Sequence, residues 1–343
     1  MRALITGGAG YYGSLLLDKL LKAGYECRIF DLNPLEGYAE RVDTILGDIR
    51  DYEKVFSACH DVDIVFHNVA QVPLAKDKHL FDTVNLGGTK NVLEAAVTSK
   101  VRKLVYTSSS AIYGVPADNP VKENHTPIPD EAYGRAKLKG EQLCLEYIEK
   151  GLQVDVIRPR TILGHGRLGI FQILFDWISK GENIPVLGKG DNIYQFVHAD
   201  DLAEATILAA QRNTSNIFNC GAEEFGTMRE VLEYLCQEAG TGSKVVSVPF
   251  GPVVLGMKVF SKLGLSPLGA YHSLMYGRSM YFDISKAKAE LGWNPKYSNN
   301  QMLLESYQWY LDNREQIQAS GTSSSPHKSL VKQGAIRLIK WFI

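Results

Sequence analysis

Residues 4–13 read Leu4-Ile5-Thr6-Gly7-Gly8-Ala9-Gly10-Tyr11-Tyr12-Gly13, a short apolar run followed by glycines at 7, 10 and 13. Gly7 permits a turn barred to residues with a Cβ, Gly10 lets backbone amides approach a pyrophosphate, and Gly13 lets the next helix pack close to the strand. The N-terminus of that helix, at Tyr11 and Tyr12, then faces the anion. Such spacing also occurs in purely structural turns, so the flanking pattern decides. Ala3-Leu4-Ile5 reads as a buried strand, and Ser14 to Ala23 carries leucines at 15, 16, 17, 20 and 21 on a helical pattern. A second strand, Glu26 to Phe30, leads into Asp31. A carboxylate there accepts hydrogen bonds from both adenosine ribose hydroxyls and repels a 2′-phosphate, which selects NAD over NADP. Asp31 also suits a cap of the turn Asp31-Leu32-Asn33-Pro34, and both readings stand.

Working outward, strands are expected at Thr44 to Leu46, Asp63 to His67, Lys103 to Thr107 and Val154 to Arg158, with helical segments between them. This alternation predicts an α/β fold, a Rossmann-type doubly wound parallel sheet. From Thr161 onward glycines separate short apolar pieces, as expected of a smaller, interleaved C-terminal substrate-binding lobe. The expected domains are 1–160 for the dinucleotide, with 193–212 returning to it, and 161–318 mainly for substrate. A flexible linker over 319–327 and a basic amphipathic helix over 328–343 complete the chain.

At 343 residues and a net charge of −1, the chain offers no field suited to nucleic acid. Its five cysteines show no C-x-x-C pairing, which argues against a disulfide framework or a zinc ribbon and fits a reducing cytosol. No signal peptide precedes the first strand, and no apolar run reaches the roughly 20 residues of a spanning helix.

The chemistry is carried by Tyr133-Gly-Arg-Ala-Lys137 at the start of a helix expected to run to Glu149. Four-residue spacing puts Tyr133 and Lys137 on one face, where an ammonium is expected to lower the phenol pKa from its usual value near ~10. Tyr133 then serves as general acid or base during hydride transfer, and Lys137 also hydrogen-bonds the nicotinamide ribose. Ser108-Ser109-Ser110 follows Thr107 at a strand's carboxyl end, where open α/β sheets place ligands.

Together the glycine pattern, Asp31, Gly47-Asp48-Ile49-Arg50, Asn85 to Asn91, Ser108 to Gly114 and Tyr133-x-x-x-Lys137 resemble the extended short-chain dehydrogenase/reductase family, the NAD-dependent epimerase/dehydratase proteins. The resemblance covers roughly residues 1–311, including Phe196 to Leu202 and Phe282 to Trp293. It implies an enzyme using NAD on a small-molecule substrate, usually as a homodimer. By the spacing to Tyr113 it assigns the catalytic hydroxyl to Ser109, beside Tyr133 and Lys137. It further implies Asp48 and Ile49 at the adenine, Asn68, Val69 and Ala70 along the cofactor groove, Asn85 steadying the active-site helix, and Pro159 to Ile162 at the nicotinamide. Asn85 reads equally well as a helix N-cap.

His198-Ala-Asp-Asp201 suggests a metal, but no other histidine has paired-ligand spacing, and an Asp before Leu-Ala-Glu-Ala suits a helix cap; no metal is expected. His67, at the end of an apolar strand, reads as a satisfied or cofactor-adjacent histidine.

Sugar 4,6-dehydratases of this family carry an Asp-Glu pair after the catalytic hydroxyl; Ser110-Ala111 stands there in this chain, which disfavours dehydration and leaves epimerisation or net oxidation at one carbon. Nucleotide-sugar members hold the diphosphate with an Arg and an Asn at places that resemble Tyr194 and Thr161. Arg160, Arg167 and Arg278 are candidates to supply the missing charge, with Ser110 and Tyr194 as further substrate residues. A sugar or nucleotide-sugar is the first expectation. The second is a 3β-hydroxysteroid-type alcohol, served by an apolar pocket over Pro249 to Leu268 and by membrane-peripheral contact through residues 328–343. The third is a non-catalytic NAD-binding scaffold.

Overall fold

A computed structural model describes residues 1–38, 40–71, 79–249, 251 and 277–320 of the chain. The first half alternates strand and helix: β1 (Arg2–Thr6), α1 (Tyr11–Lys22), β2 (Glu26–Asp31), β3 (Asp43–Leu46), α2 (Tyr52–Cys59) and β4 (Ile64–His67). A π-helical segment (Phe81–Gly88) runs into α3 (Thr89–Thr98), followed by β5 (Lys103–Thr107), α4 (Ala132–Glu149) and β6 (Gln153–Pro159). Next come β7 (Thr161–Leu163), α5 (Ile170–Ser179), β8 (Ile184–Leu187), β9 (Ile193–Tyr194), β10 (Phe196–His198), α6 (Ala199–Ala210) and β11 (Asn216–Cys220).

Seven of these strands form one parallel sheet in the order β11-β6-β5-β4-β1-β2-β3. Strands covered on both faces are near-continuous apolar runs, and β4 and β5 are buried at every position. Alternate residues feed the two cores. Ile5, Phe66, Val105 and Ile157 pack with Leu16 and Leu20 of α1 and Leu202 of α6. Leu4, Val65, Leu104 and Val156 pack with Val55, Val92, Leu93 and Cys144 on the opposite face. The doubly wound Rossmann-type expectation therefore holds.

The remaining chain builds a smaller layer from α5, α7 (Met228–Ala239) and α9 (Asn299–Asp312) around Phe175, Trp177, Leu235, Tyr307 and Tyr310, with α8 (Ser285–Leu291) packed on β11. Among the described residues no helix is long and apolar enough to cross a membrane. All five cysteines are buried free thiols.

Helix α1 runs from Tyr11, with Gly10 as its N-cap. Two local expectations are corrected. The cap of α6 is His198, whose Nδ1 accepts the Asp200 N–H; Asp201 instead accepts the Lys296 and Tyr297 N–H groups. Ala319 and Ser320 are still helical, so a linker does not start at 319. Most of the proposed apolar pocket and the basic C-terminal helix lie outside the described residues.

Candidate active site

Thr6, Asp31, His67, Thr107 and Pro159 end five strands on the same edge of the parallel sheet, and the candidate residues gather beyond that edge. Gly7 adopts φ +73°, a left-handed conformation that favours glycine, and its N–H donates to the Phe30 carbonyl. A Cβ on Gly13 would lie 2.1 Å from the Gly7 oxygen, so helix and loop touch only because residue 13 is glycine. The N-terminus of α1 has no side-chain cap, which leaves its first-turn N–H groups available to an anion. The side chains of Tyr11 and Tyr12 point elsewhere: Tyr12 Oη pairs with Thr206 at 2.7 Å, and Tyr11 lies beneath Arg167.

Asp31 braces this loop, accepting the Ala9 N–H and the Asn33 N–H, each at 3.1 Å. These are the bonds that the turn reading of Asp31 expects. Asp48 is clasped by Arg50, which holds its carboxyl below the usual range, and Ile49 is buried against Gly88. Asn68 accepts from Thr107 Oγ1 at 2.6 Å, while its buried Nδ2 has no partner. Val69 abuts Gly7, and Ala70 follows it, partly buried. An uncapped helix end, a glycine cradle and an orphaned amide donor on one rim suit a dinucleotide.

Asn85 is not an N-cap. It lies inside the π-helical segment, where its amide receives the Gln71 N–H at 2.7 Å and donates to the Gln71 carbonyl at 3.0 Å. Beneath it runs a buried relay. Thr89 donates to the Asn85 carbonyl, so His67 Nε2–H donates to Thr89, and His67 Nδ1 accepts from Thr6. Burial, reinforced by the nearby Lys137 charge, pushes the His67 pKa down to about 3. This neutral, fully bonded imidazole is a satisfied histidine.

Helix α4 brings in Tyr133 and Lys137. Glu131 caps it, accepting the N–H groups of Tyr133 and Gly134. Two glycines set its approach: a Cβ on Gly134 would lie 2.4 Å from the Ala111 carbonyl oxygen, and one on Gly140 would lie 2.3 Å from Tyr106 Oη. Ser109 caps the short turn Ser110–Tyr113, accepting the Ala111 N–H, and is hydrogen-bonded to the Tyr133 phenol. Ser109 and Tyr133 are therefore brought together.

Lys137 is arranged differently from the sequence expectation. Its Nζ donates to the Thr107 carbonyl at 2.7 Å and lies over the Tyr106 ring, and burial pulls its pKa down to about 8. The Tyr133 phenol is pushed up to about 12 by burial, opposed by the Ser109 hydrogen bond. The phenol therefore stands above its usual value where the sequence led us to expect it below, burial outweighing the help of an ammonium directed to the carbonyl.

Sequence reading missed the residues that lock this face. Glu141, one further four-residue step after Lys137, takes Arg158 in a two-pronged pair, Nε at 2.9 Å and Nη2 at 2.6 Å, and accepts from Ser108. Arg158 Nη1 also donates to Tyr113 Oη. The 133, 137, 141 spacing was the available signal.

The substrate candidates divide. Arg160 is buried, donates from Nη1 to Ser110 Oγ at 3.0 Å and lies over Tyr194, whose hydroxyl pairs with Thr161 at 2.9 Å. Arg167 is buried between Tyr11 and Phe171, donates from Nε to the Ile162 carbonyl, and has its pKa lowered to about 10 by burial. Pro159 ends β6 and Ile162 lies in β7, on either side of Arg160. Arg278 is exposed and does not join the buried set.

His198 does acquire a second histidine, one that sequence spacing could not reveal: His165, His198 and Glu305 have ligand atoms within 4.8 Å of one another. They form a hydrogen-bonded cluster. His198 Nδ1 accepts a backbone N–H, so its Nε2 carries the hydrogen given to Glu305 at 2.8 Å and has no lone pair for a cation.

Residues 3–221 match the model of the NAD dependent epimerase/dehydratase family. The chain is 52% identical over 340 residues to the y4nG protein of Sinorhizobium fredii, covering 99% of this chain and 85% of that one. It is 29% identical to a UDP-N-acetyl-alpha-D-glucosaminuronate decarboxylase of Bacillus cytotoxicus, over 90% of this chain and 97% of the relative. Among solved structures it resembles a UDP-glucose 4-epimerase of Thermotoga maritima with TM-score 0.77 and 26% identity, covering 92% of this chain and all of that one.

Proposed function

Because the chain belongs to the NAD dependent epimerase/dehydratase family, we propose that it is an NAD-dependent enzyme that oxidises a secondary alcohol of a sugar or nucleotide-sugar, transiently as an epimerase or with net turnover as a dehydrogenase. The observation that carries this reading is the convergence of Ser109 and Tyr133, with Lys137 one turn on, beyond the same sheet edge as the glycine cradle. NAD supplies the hydride acceptor. The uncapped end of α1, Gly7, Gly10 and Gly13 hold its pyrophosphate, Asp31 its adenosine ribose, and Asn68 the groove wall.

Each side chain has a distinct task. Ser109 Oγ orients the substrate oxygen, and Tyr133 Oη exchanges a proton with it. A phenol held near 12 keeps its proton at neutral pH, which suits return of a proton to an alkoxide; acting as a base requires help from a cation, the role given to Lys137, one turn on in the same helix. His67 only holds the rim together. Ser110 and Ala111 offer no carboxyl for eliminating water, which supports reversible oxidation over dehydration.

The test is direct. Full-length protein with NAD is offered UDP-sugars and sterols in parallel, and both sugar interconversion and NADH are followed. Sugar epimerisation or sugar-dependent NADH supports the reading; NADH with sterols alone contradicts it. Cofactor choice has its own check: Asp31→Ala should weaken NAD binding by about tenfold, the scale of a lost charge-assisted hydrogen bond, and relax exclusion of NADP. An unchanged NAD/NADP ratio assigns Asp31 to its turn alone.

A further inference from the structure

Arg158 and Arg160 lie two residues apart and have opposite circumstances. Arg158 engages Glu141 through Nε and Nη2, the side-on fork that matches a carboxylate. Arg160 is only 1% exposed, yet its own Nε and Nη2 have no hydrogen-bond partner, and no acid among the described residues forms an ion pair with it. Its guanidinium is held between the rings of Tyr194, 4.7 Å away, and Phe282, 5.6 Å away, with Nη1 on Ser110.

Burying a charge without a counter-ion is costly, and two aromatic faces offset only part of that cost. The guanidinium keeps two buried donors and an unbalanced charge that suit an anion. Ser110 fixes where that site lies, because it adjoins Ser109, the hydroxyl proposed to hold the reacting oxygen.

We propose that the Nε/Nη2 fork of Arg160 binds a carboxylate carried by the substrate close to the carbon that is oxidised. This rests on the NAD-dependent alcohol oxidation proposed above, whichever scaffold carries the alcohol, and narrows its substrate to hydroxy acids. Two coplanar donors fit two coplanar oxygens, as Arg158, two residues earlier, demonstrates with Glu141 of α4. A single guanidinium balances a monoanion, whereas a diphosphate brings more charge than one cation neutralises. Tyr194 packs on the guanidinium and bonds Thr161 through its hydroxyl, so the substrate's acid group enters by turning that ring aside and releasing Thr161.

The experiment uses full-length protein, NAD and two matched pairs: UDP-glucuronate against UDP-glucose, and a sterol 4-carboxylate against the parent sterol. The readout is the acid-to-neutral ratio of kcat/KM within whichever scaffold turns over, a ratio that does not depend on the fraction of protein that folds. Wild type should favour the acid by about a hundredfold, the discrimination typical of a buried charged pair left incomplete. Arg160→Met should bring the ratio to about one, and Arg160→Lys, which keeps charge without the fork, should leave an intermediate ratio. A wild-type ratio near one, or a ratio unchanged in Arg160→Met, overturns the carboxylate site while the oxidoreductase reading survives. No turnover of any member by wild type overturns both.

Discussion

Tyr133 and Lys137 share a helical face, but their electrostatic situations differ. Burial keeps the phenol protonated, and the same burial makes the ammonium ready to lose its charge near pH 8. Alcohol oxidation requires Tyr133 to lose its proton, so its rate should rise with pH. Above about pH 8 the Lys137 charge that favours phenolate disappears and the rise should bend. Lys137→Met should lower kcat/KM by about a hundredfold and abolish that bend; a bend that persists near pH 8 would reassign it to another group. At this scale the sequence displayed residue types and spacing, which is why Ser109, Tyr133 and Lys137 could be nominated from it. It did not display direction: that Lys137 Nζ turns to the Thr107 carbonyl depends on β5, a strand about 30 positions earlier.

Elements were legible where one periodicity ran uninterrupted. Helix α4 and strand β5 were expected within a residue of where they lie, because four-residue and continuous apolar patterns mark them. The π-helical segment was not: its extra residue per turn leaves no periodic trace, and the partner of Asn85 is a backbone group at Gln71. How closely α4 approaches the sheet was equally hidden, since Gly140 reads as a poor helix residue until Tyr106 is seen against it. On an open helix face Gly→Ala gains about 1 kcal/mol. At Gly140 the added methyl meets Tyr106 Oη, so Gly140→Ala should instead destabilise by about 1–3 kcal/mol and reduce turnover. Denaturant melts and kcat check both, and a stabilised variant would mean that α4 has slack.

Over the whole molecule, three distant segments meet at Glu305, which bonds His198 at 2.8 Å and lies 3.5 Å from His165. No local pattern announces such a cluster. These bonds lower the Glu305 pKa to about 2 from 4.5, while Glu305 raises that of His165 from 6.5. A depressed carboxyl contributes stability above its unfolded value that is lost as pH falls through the folded one; a raised histidine contributes below its unfolded value, and that is lost as pH rises through its folded one. Their combined contribution is largest between about pH 4.5 and 6.5. Glu305→Gln should flatten the wild-type loss of stability between about pH 4.5 and 2, as read by thermal melting across pH. Parallel curves for the two proteins would show that the cluster does not couple to folding.

The central claim is that Tyr133 exchanges the proton of an alcohol oxidised by NAD, and Tyr133→Phe tests it most directly because it removes one oxygen and keeps the ring. With the substrate found in the parallel assay, kcat should fall by about 10²- to 10⁴-fold while NAD affinity stays at the wild-type value. Turnover within a few-fold of wild type, with NAD bound equally well, would contradict the account.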